Sequence, residues 1–282
     1  MSRRAWAWVR NVAGVAILGV LLWRLGSGPF LDGLRDVDGR ALAVATVIAA
    51  GTTVCCAWRW SVLVRGLGVG LTMRDAVAAY YRSQFLNTTL PGGVLGDVHR
   101  AVRHGRESGD LPRGARAVVW DRVSGQGVQV LLTFLVLLTL PSPVRSSVPV
   151  LAGLVVAGVL LLAFSGRALP RTTWPVVVVA SSLAVLGHVV TFLVAARTAG
   201  STTPMLELVP LALLVLVAMS IPANIAGWGP REGVAAWAFA AAGLGAAEGV
   251  ATAVVYGVMV FVASLPGAAI LLLGMRRRVS HA

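Results

Sequence analysis

Asn87-Thr88-Thr89-Leu90-Pro91-Gly92-Gly93-Val94-Leu95-Gly96-Asp97 and Ser220-Ile221-Pro222-Ala223-Asn224-Ile225-Ala226-Gly227-Trp228-Gly229-Pro230-Arg231-Glu232 interrupt two apolar stretches, about 76–95 and 206–246. Each break runs Pro, four residues, Gly, then charge. Pro91 and Pro222 remove a backbone donor and disrupt a helix, while Gly92, Gly93, Gly96, Gly227 and Gly229 permit conformations other residues resist. In a hydrophobic chain, such interruptions at matching positions of two halves point to a binding site near the bilayer midplane.

The surrounding sequence is that of an integral membrane protein: 57% of its 282 residues are hydrophobic, 12% are charged, and the mean hydropathy is +0.82. Further apolar segments near 11–25, 41–63, 117–140, 147–164, 175–196 and 250–274 have lengths suited to spans or short spans. The net charge of +13 comes entirely from arginine, because the chain has no lysine. That absence excludes a Walker A phosphate loop, a Schiff-base lysine and a Ser-Lys dyad. The arginines lie between apolar segments and at the termini, which fits positive-inside topology and argues against a nucleic-acid partner. Cys55 and Cys56 are adjacent within an apolar segment and have neither disulfide nor metal-ligand spacing. No cofactor or metal is expected.

Arg3, Arg4 and Arg10 place the N-terminus inside; without a clear cleavage signal after it, the first apolar run is expected to stay as an uncleaved helix. The connection at 32–40 then falls outside, Arg65 and Arg74 inside, and the basic stretch Arg100, Arg103, Arg106, Arg113 and Arg116 inside, provided 76–95 enters and turns back. Arg167 and Arg171 follow inside, and Arg276, Arg277 and Arg278 end the chain in the cytoplasm. The starts of 41–63 and 175–196 differ by 134 residues, those of 117–140 and 250–274 by 133, and Pro91 and Pro222 by 131. The first half starts inside and the second outside, as in an inverted repeat. Residues 206–222 and 233–246 as two full spans would preserve the same parity.

Non-helical backbone at membrane depth is costly unless protein, water or ligand pairs its polar groups. The freed amides at each break therefore suit an anion, whereas a kink used only for tight packing is the plainer alternative. Arg82, five residues before Asn87, reads as a phosphate ligand or as a side chain snorkelling to the interface. Asp97 with Arg100, and Asp121 with Arg122, read as an ion-paired cytoplasmic vestibule or as structural pairs. Arg231 and Glu232 put a cation and an anion at the second break, as site residues or as a structural salt bridge. His188 within a span reads as a proton relay or, more plainly, as an interhelical hydrogen bond.

Asn87-x3-Pro91-Gly92-Gly93-x2-Gly96-Asp97-x2-Arg100, then Asp121-Arg122, and later Pro222-x4-Gly227-x-Gly229-x-Arg231-Glu232-Gly233 make the chain resemble the flippase-like transmembrane family represented by the membrane region of lysylphosphatidylglycerol synthases. In full-length synthases that region is joined to a soluble aminoacyl-transferase domain and is implicated in moving the modified lipid between leaflets. Residues up to Ala282 contain no transferase domain, so lysyl transfer is not expected of this chain. The sequence thus predicts one integral domain over 1–282, all-α and polytopic, with repeat halves about 1–140 and 147–274. It has about six full spans and two broken, re-entrant hairpins, or eight spans by ordinary counting.

The expected function is a lipid flippase in the bacterial cell membrane with both termini cytoplasmic. Its cargo would be an anionic or glycosylated phospholipid or polyprenyl phosphate, the phosphate meeting Arg82, Arg231 and the hairpin amides. The alternatives are a membrane-embedded transferase using Asp97 and Asp121, and a scaffold for envelope-synthesis enzymes; no catalytic constellation is recognisable.

Overall fold

A computed structural model describes residues 3–140, 142–165, 169–221 and 227–279. Pro222 and Arg167 lie outside the described residues. The described chain forms eleven α-helices and no strand: α1 (Arg3–Leu25), α2 (Gly28–Arg35), α3 (Gly39–Gly66), α4 (Met73–Thr89), α5 (Leu95–Glu107), α6 (Leu111–Thr139), α7 (Val148–Ser165), α8 (Thr173–Thr198), α9 (Met205–Ala218), α10 (Pro230–Ala241) and α11 (Ala246–Val279). A 3-10 turn, Arg145–Ser147, precedes α7.

Local chemistry sets several helix starts. The Asp38 side chain accepts from the Ala41 amide at 2.6 Å, Thr72 accepts from Asp75 at 3.2 Å, and Asp110 accepts from Arg113 at 2.8 Å. Each satisfies one amide that has no partner within its helix. Pro112 occupies the first turn of α6, where a missing N–H costs nothing.

Among the described residues, α3, α6, α8 and α11 are long and apolar enough to cross a membrane; α1 with α2, bent by 96°, makes a fifth if the pair counts as one span. The inside and outside of the bundle are reversed relative to a soluble protein. Val47, Val150 and Leu206 are largely exposed, whereas Arg59, Arg100, Asp121 and Glu232 are buried. Bilayer solvent explains this arrangement, since apolar surface toward lipid is not penalised and ionised groups must find partners inside.

The arms of each broken segment fold back on one another, α4 on α5 and α9 on α10. At ~1.5 Å per residue, α9 and α10 are about 21 and 18 Å long, short of the roughly 30 Å hydrocarbon core. Close approach of α4 and α5 depends on Gly96, where an added Cβ would lie 2.0 Å from the Ser83 carbonyl oxygen.

The two halves exchange in the packing pattern. α4 packs on α11 and α9 on α6; α5 packs on α6 and α10 on α11; α2 packs on α11 and α7 on α6. Between them, α3 and α8 form an extensive pair. Thr52 meets Gly187, Arg59 reaches Ser181, and Gly66 abuts Thr173, so α8 runs antiparallel to α3. Because α3 and α8 occupy equivalent places in the two halves, the halves have opposite orientations, as the spacing predicts. Their interiors differ: Phe192, Phe239, Tyr256 and Met259 fill the second half, while ionised side chains occupy the centre of the first.

Candidate functional site

The first break joins α4 to α5. Leu90 is extended, Pro91 is exposed, and Gly92 and Gly93 have φ values of +95° and +61°, a region that favours glycine. This turn brings Asp97 back against α4. Its carboxylate accepts from Ser83 at 3.0 Å and Asn87 at 3.1 Å, from Arg100 at 3.0 Å, and from the Arg122 Nε at 2.7 Å. Asn87 also accepts the Gly96 amide at 2.8 Å.

A second carboxylate continues the network. Asp121 Oδ1 accepts from Arg59 Nε at 2.8 Å; its Oδ2 accepts from Arg100 at 2.8 Å and from the Tyr80 hydroxyl. Arg59 extends to Ser181 at 3.1 Å and Tyr80 at 3.2 Å. Its guanidinium fits beside Gly125, where a Cβ would come within 2.6 Å of Nη1. Arg100 stacks over Trp60 and Tyr80, with its central carbon 4.7 and 4.2 Å from the ring centroids. Three guanidinium groups, Arg59, Arg100 and Arg122, thus share two carboxylates, leaving one excess positive charge. Arg122 is the most open of the three, with 38% of its side chain exposed.

The second break carries a charge-balanced counterpart. Arg231 Nε lies 2.8 Å and Nη2 2.5 Å from Glu232 Oε1, and Glu232 Oε2 accepts the Gly229 amide at 2.7 Å. Glu232 therefore caps its own helix, with Gly229 at φ +121° providing the turn. Arg231 lies 131 positions after Arg100, the spacing of the two prolines. It also lies over aromatic rings, Trp228 at 5.0 Å and Tyr256 at 5.9 Å. Gly257 admits its guanidinium as Gly125 admits that of Arg59.

Both breaks border one central cavity of about 260 Å³ between the halves. Asn87, Thr88 and Gly93 reach it from the first break, and Ser220, Gly227 and Arg231 from the second. His188 also lines it and bonds Tyr256 at 3.0 Å, joining α8 to α11. A polar chamber of about 200 Å³, lined by Arg59, Asp97 and Arg100, shares Asn87, Arg122, Gln126 and His188 with the cavity. On the other side, Arg122, Gln126 and Ser220 also border a mostly apolar groove of about 730 Å³ among α5, α6, α7 and α9.

The expected site residues therefore separate into groups. Asn87, Gly93, Arg122, Gly227 and Arg231 line the cavity; Asp97, Arg100 and Asp121 belong to the network behind it. Pro91, Gly92, Gly96, Gly229 and Glu232 shape the breaks. Arg82 does not join Arg231: it lines a different cleft, at the start of α4, because its position faces the end of α5 rather than the repeat interface. Of the amides at the breaks, expected in general to suit a headgroup, those of Gly96 and Gly229 are taken by Asn87 and Glu232.

Arg59 and Tyr80 are central residues not anticipated from the sequence. An arginine inside the 41–63 span was the available signal for the first. Gln126 and Gln129 also line the cavity; Arg122, Gln126 and Gln129 recur at helical spacing along one face of α6.

Taken together, the reversed hydropathy, the paired inverted halves and the cavity between them, into which polar and charged side chains reach, define a polytopic membrane protein built around an internal site. The chain matches the lysylphosphatidylglycerol synthase TM region model over residues 11–175, more than half its length, and belongs to that family. The match includes the first break and Asp121-Arg122 and ends before the second break. No curated protein and no solved structure matches the chain.

Proposed function

We propose that this protein moves an anionic phospholipid or polyprenyl phosphate between the leaflets of the bacterial cell membrane, with no covalent change to the lipid. The observation that carries this reading is the junction at Arg122, Gln126 and Ser220, where the central cavity, with its polar and charged side chains set among apolar ones, meets the apolar groove. A lipid has the same two-part chemistry: its charged headgroup suits Arg122 and the excess positive charge of the network behind the cavity, and its acyl chain suits the groove. Rocking of one inverted half against the other would expose the cavity alternately to the two sides.

The engagement of the carboxylates supports transport over transfer chemistry. Every oxygen of Asp97 and Asp121 accepts from at least one donor, leaving neither presented to a substrate as a general base. Family membership supports a lipid-related role in the cell envelope. Reconstitution into liposomes containing a headgroup-labelled phosphatidylglycerol tests the proposal. Added membrane-impermeant quencher should remove nearly all the fluorescence when the protein is present and about half when it is absent. Equal residual fluorescence in both preparations would reject lipid movement as the activity.

A further inference from the structure

The cleft that holds Arg82 is small, about 70 Å³, and lies where α3 ends, α4 begins and α5 ends. Arg100 is the residue it shares with the polar chamber behind the central cavity. Among the described residues, eight buried side-chain polar atoms have no hydrogen-bond partner. All four nitrogens in that group belong to residues lining this cleft: Trp60 Nε1, Arg82 Nε, and Arg100 Nε and Nη1. Buried N–H groups without partners are rare in folded proteins because desolvation is left uncompensated. Here the deficiency falls on donors from three separate helices, all on residues that line one cleft.

Two acidic residues line the cleft, and each already accepts a hydrogen bond. Asp75 accepts from the Thr72 hydroxyl at 2.6 Å, and Glu107 accepts from Arg103 at 2.8 Å. The buried Arg82 Nε has no hydrogen-bond partner among the described residues. What the orphaned donors lack is an acceptor, which a compact group with several oxygens and negative charge would supply. Guanidinium and indole N–H groups supply only donors, and arginine pairs strongly with phosphate. The geometry points to a binding site for a phosphate oxyanion, held by Arg82, Trp60 and Arg100 and separate from the central cavity. Free phosphate and the headgroup of an anionic phospholipid present the same oxygens. The site follows from the orphaned donors and does not depend on lipid transport.

The test uses the full chain in phosphatidylcholine nanodiscs, with inorganic phosphate titrated by equilibrium dialysis. In parallel, nanodiscs containing phosphatidylglycerol are used to count retained lipid by native mass spectrometry. Saturable binding in either arm that is weakened by the cleft variants supports the site and identifies the source of the oxyanion. Arg82→Gln should weaken that binding at least about tenfold, the scale of a lost charge-assisted hydrogen bond. Trp60→Phe retains an aromatic ring beneath Arg100 while removing the indole N–H together with the pyrrole ring, so it provides a second readout if Arg82→Gln lowers the yield of folded protein; it too should weaken binding. No saturable binding of either probe to the wild type, or wild-type affinity in a folded variant, would overturn the assignment. Leaflet exchange measured on the same preparations separates the two proposals: phosphate binding without exchange removes the transport reading and leaves this site intact.

Discussion

Arg122 and Arg231 both border the central cavity, yet their surroundings give them different consequences when substituted. Arg231 is 4% exposed and paired with a fully buried Glu232. Arg231→Gln leaves that carboxylate with the Gly229 amide alone, and breaking a buried ion pair costs about 3–5 kcal/mol. The expected result is a clear fall in the thermal midpoint in detergent. An unchanged midpoint would mean that the pair contributes little to the fold. Arg122 is more exposed, and Asp97 retains Arg100, Ser83 and Asn87 when it is removed. Arg122→Gln should therefore fold and should slow exchange of phosphatidylglycerol roughly tenfold, as loss of one charge-assisted contact implies. Phosphatidylcholine exchange should respond less; equal slowing of both lipids would count against a headgroup role for Arg122.

At the scale of elements, the breaks are stabilised by packing as much as by local sequence. Gly96 lets α5 return along α4, and Gly249 does the same for α11 against α10, where a Cβ would lie 2.4 Å from the Ala235 carbonyl oxygen. These contacts are with backbone, which has little freedom to move away. Gly96→Ala should separate the arms of the first hairpin, pull Asp97 from Ser83 and Asn87, and lower thermal stability markedly. Gly51→Ala is the internal control, because an added Cβ there meets nothing within 4 Å and alanine favours helix by about 1 kcal/mol. If both variants melt at the same temperature, close packing of α4 and α5 is not what holds the first break. The Pro-Gly pattern made the break legible in the sequence. The packing partners of Gly96 were not, since nothing local specifies that Ser83 lies opposite it.

Across the whole molecule, the antiparallel contact of α3 with α8 ties the inverted halves to a single interface, where the cavity lies. From the arginine distribution and the positive-inside rule we propose that the basic 97–116 segment and both termini face the cytoplasm. Single-cysteine labelling with an impermeant reagent should reach residue 36 from outside intact cells and leave residue 106 unlabelled until the membrane is opened. The reverse pattern would invert the orientation while leaving the relation between the halves unchanged.

The sequence by itself determined that this chain lives in a membrane, that it is helical, where its two breaks lie, and that its halves repeat with opposite sense. These features depend on composition and on regular spacing along the chain, which act locally or through the bilayer. It also indicated Asp97, Arg100, Asp121 and Arg122 as charged groups in need of partners, because ionised side chains near apolar segments are costly alone. Only the tertiary structure decided which partners they take. It placed Arg59 on Asp121 from 62 residues away, gave the Gly96 and Gly229 amides to Asn87 and Glu232, and set Arg82 apart from Arg231. The physical reason is that a buried charge requires a partner, while the identity of that partner depends on which helix faces are brought together.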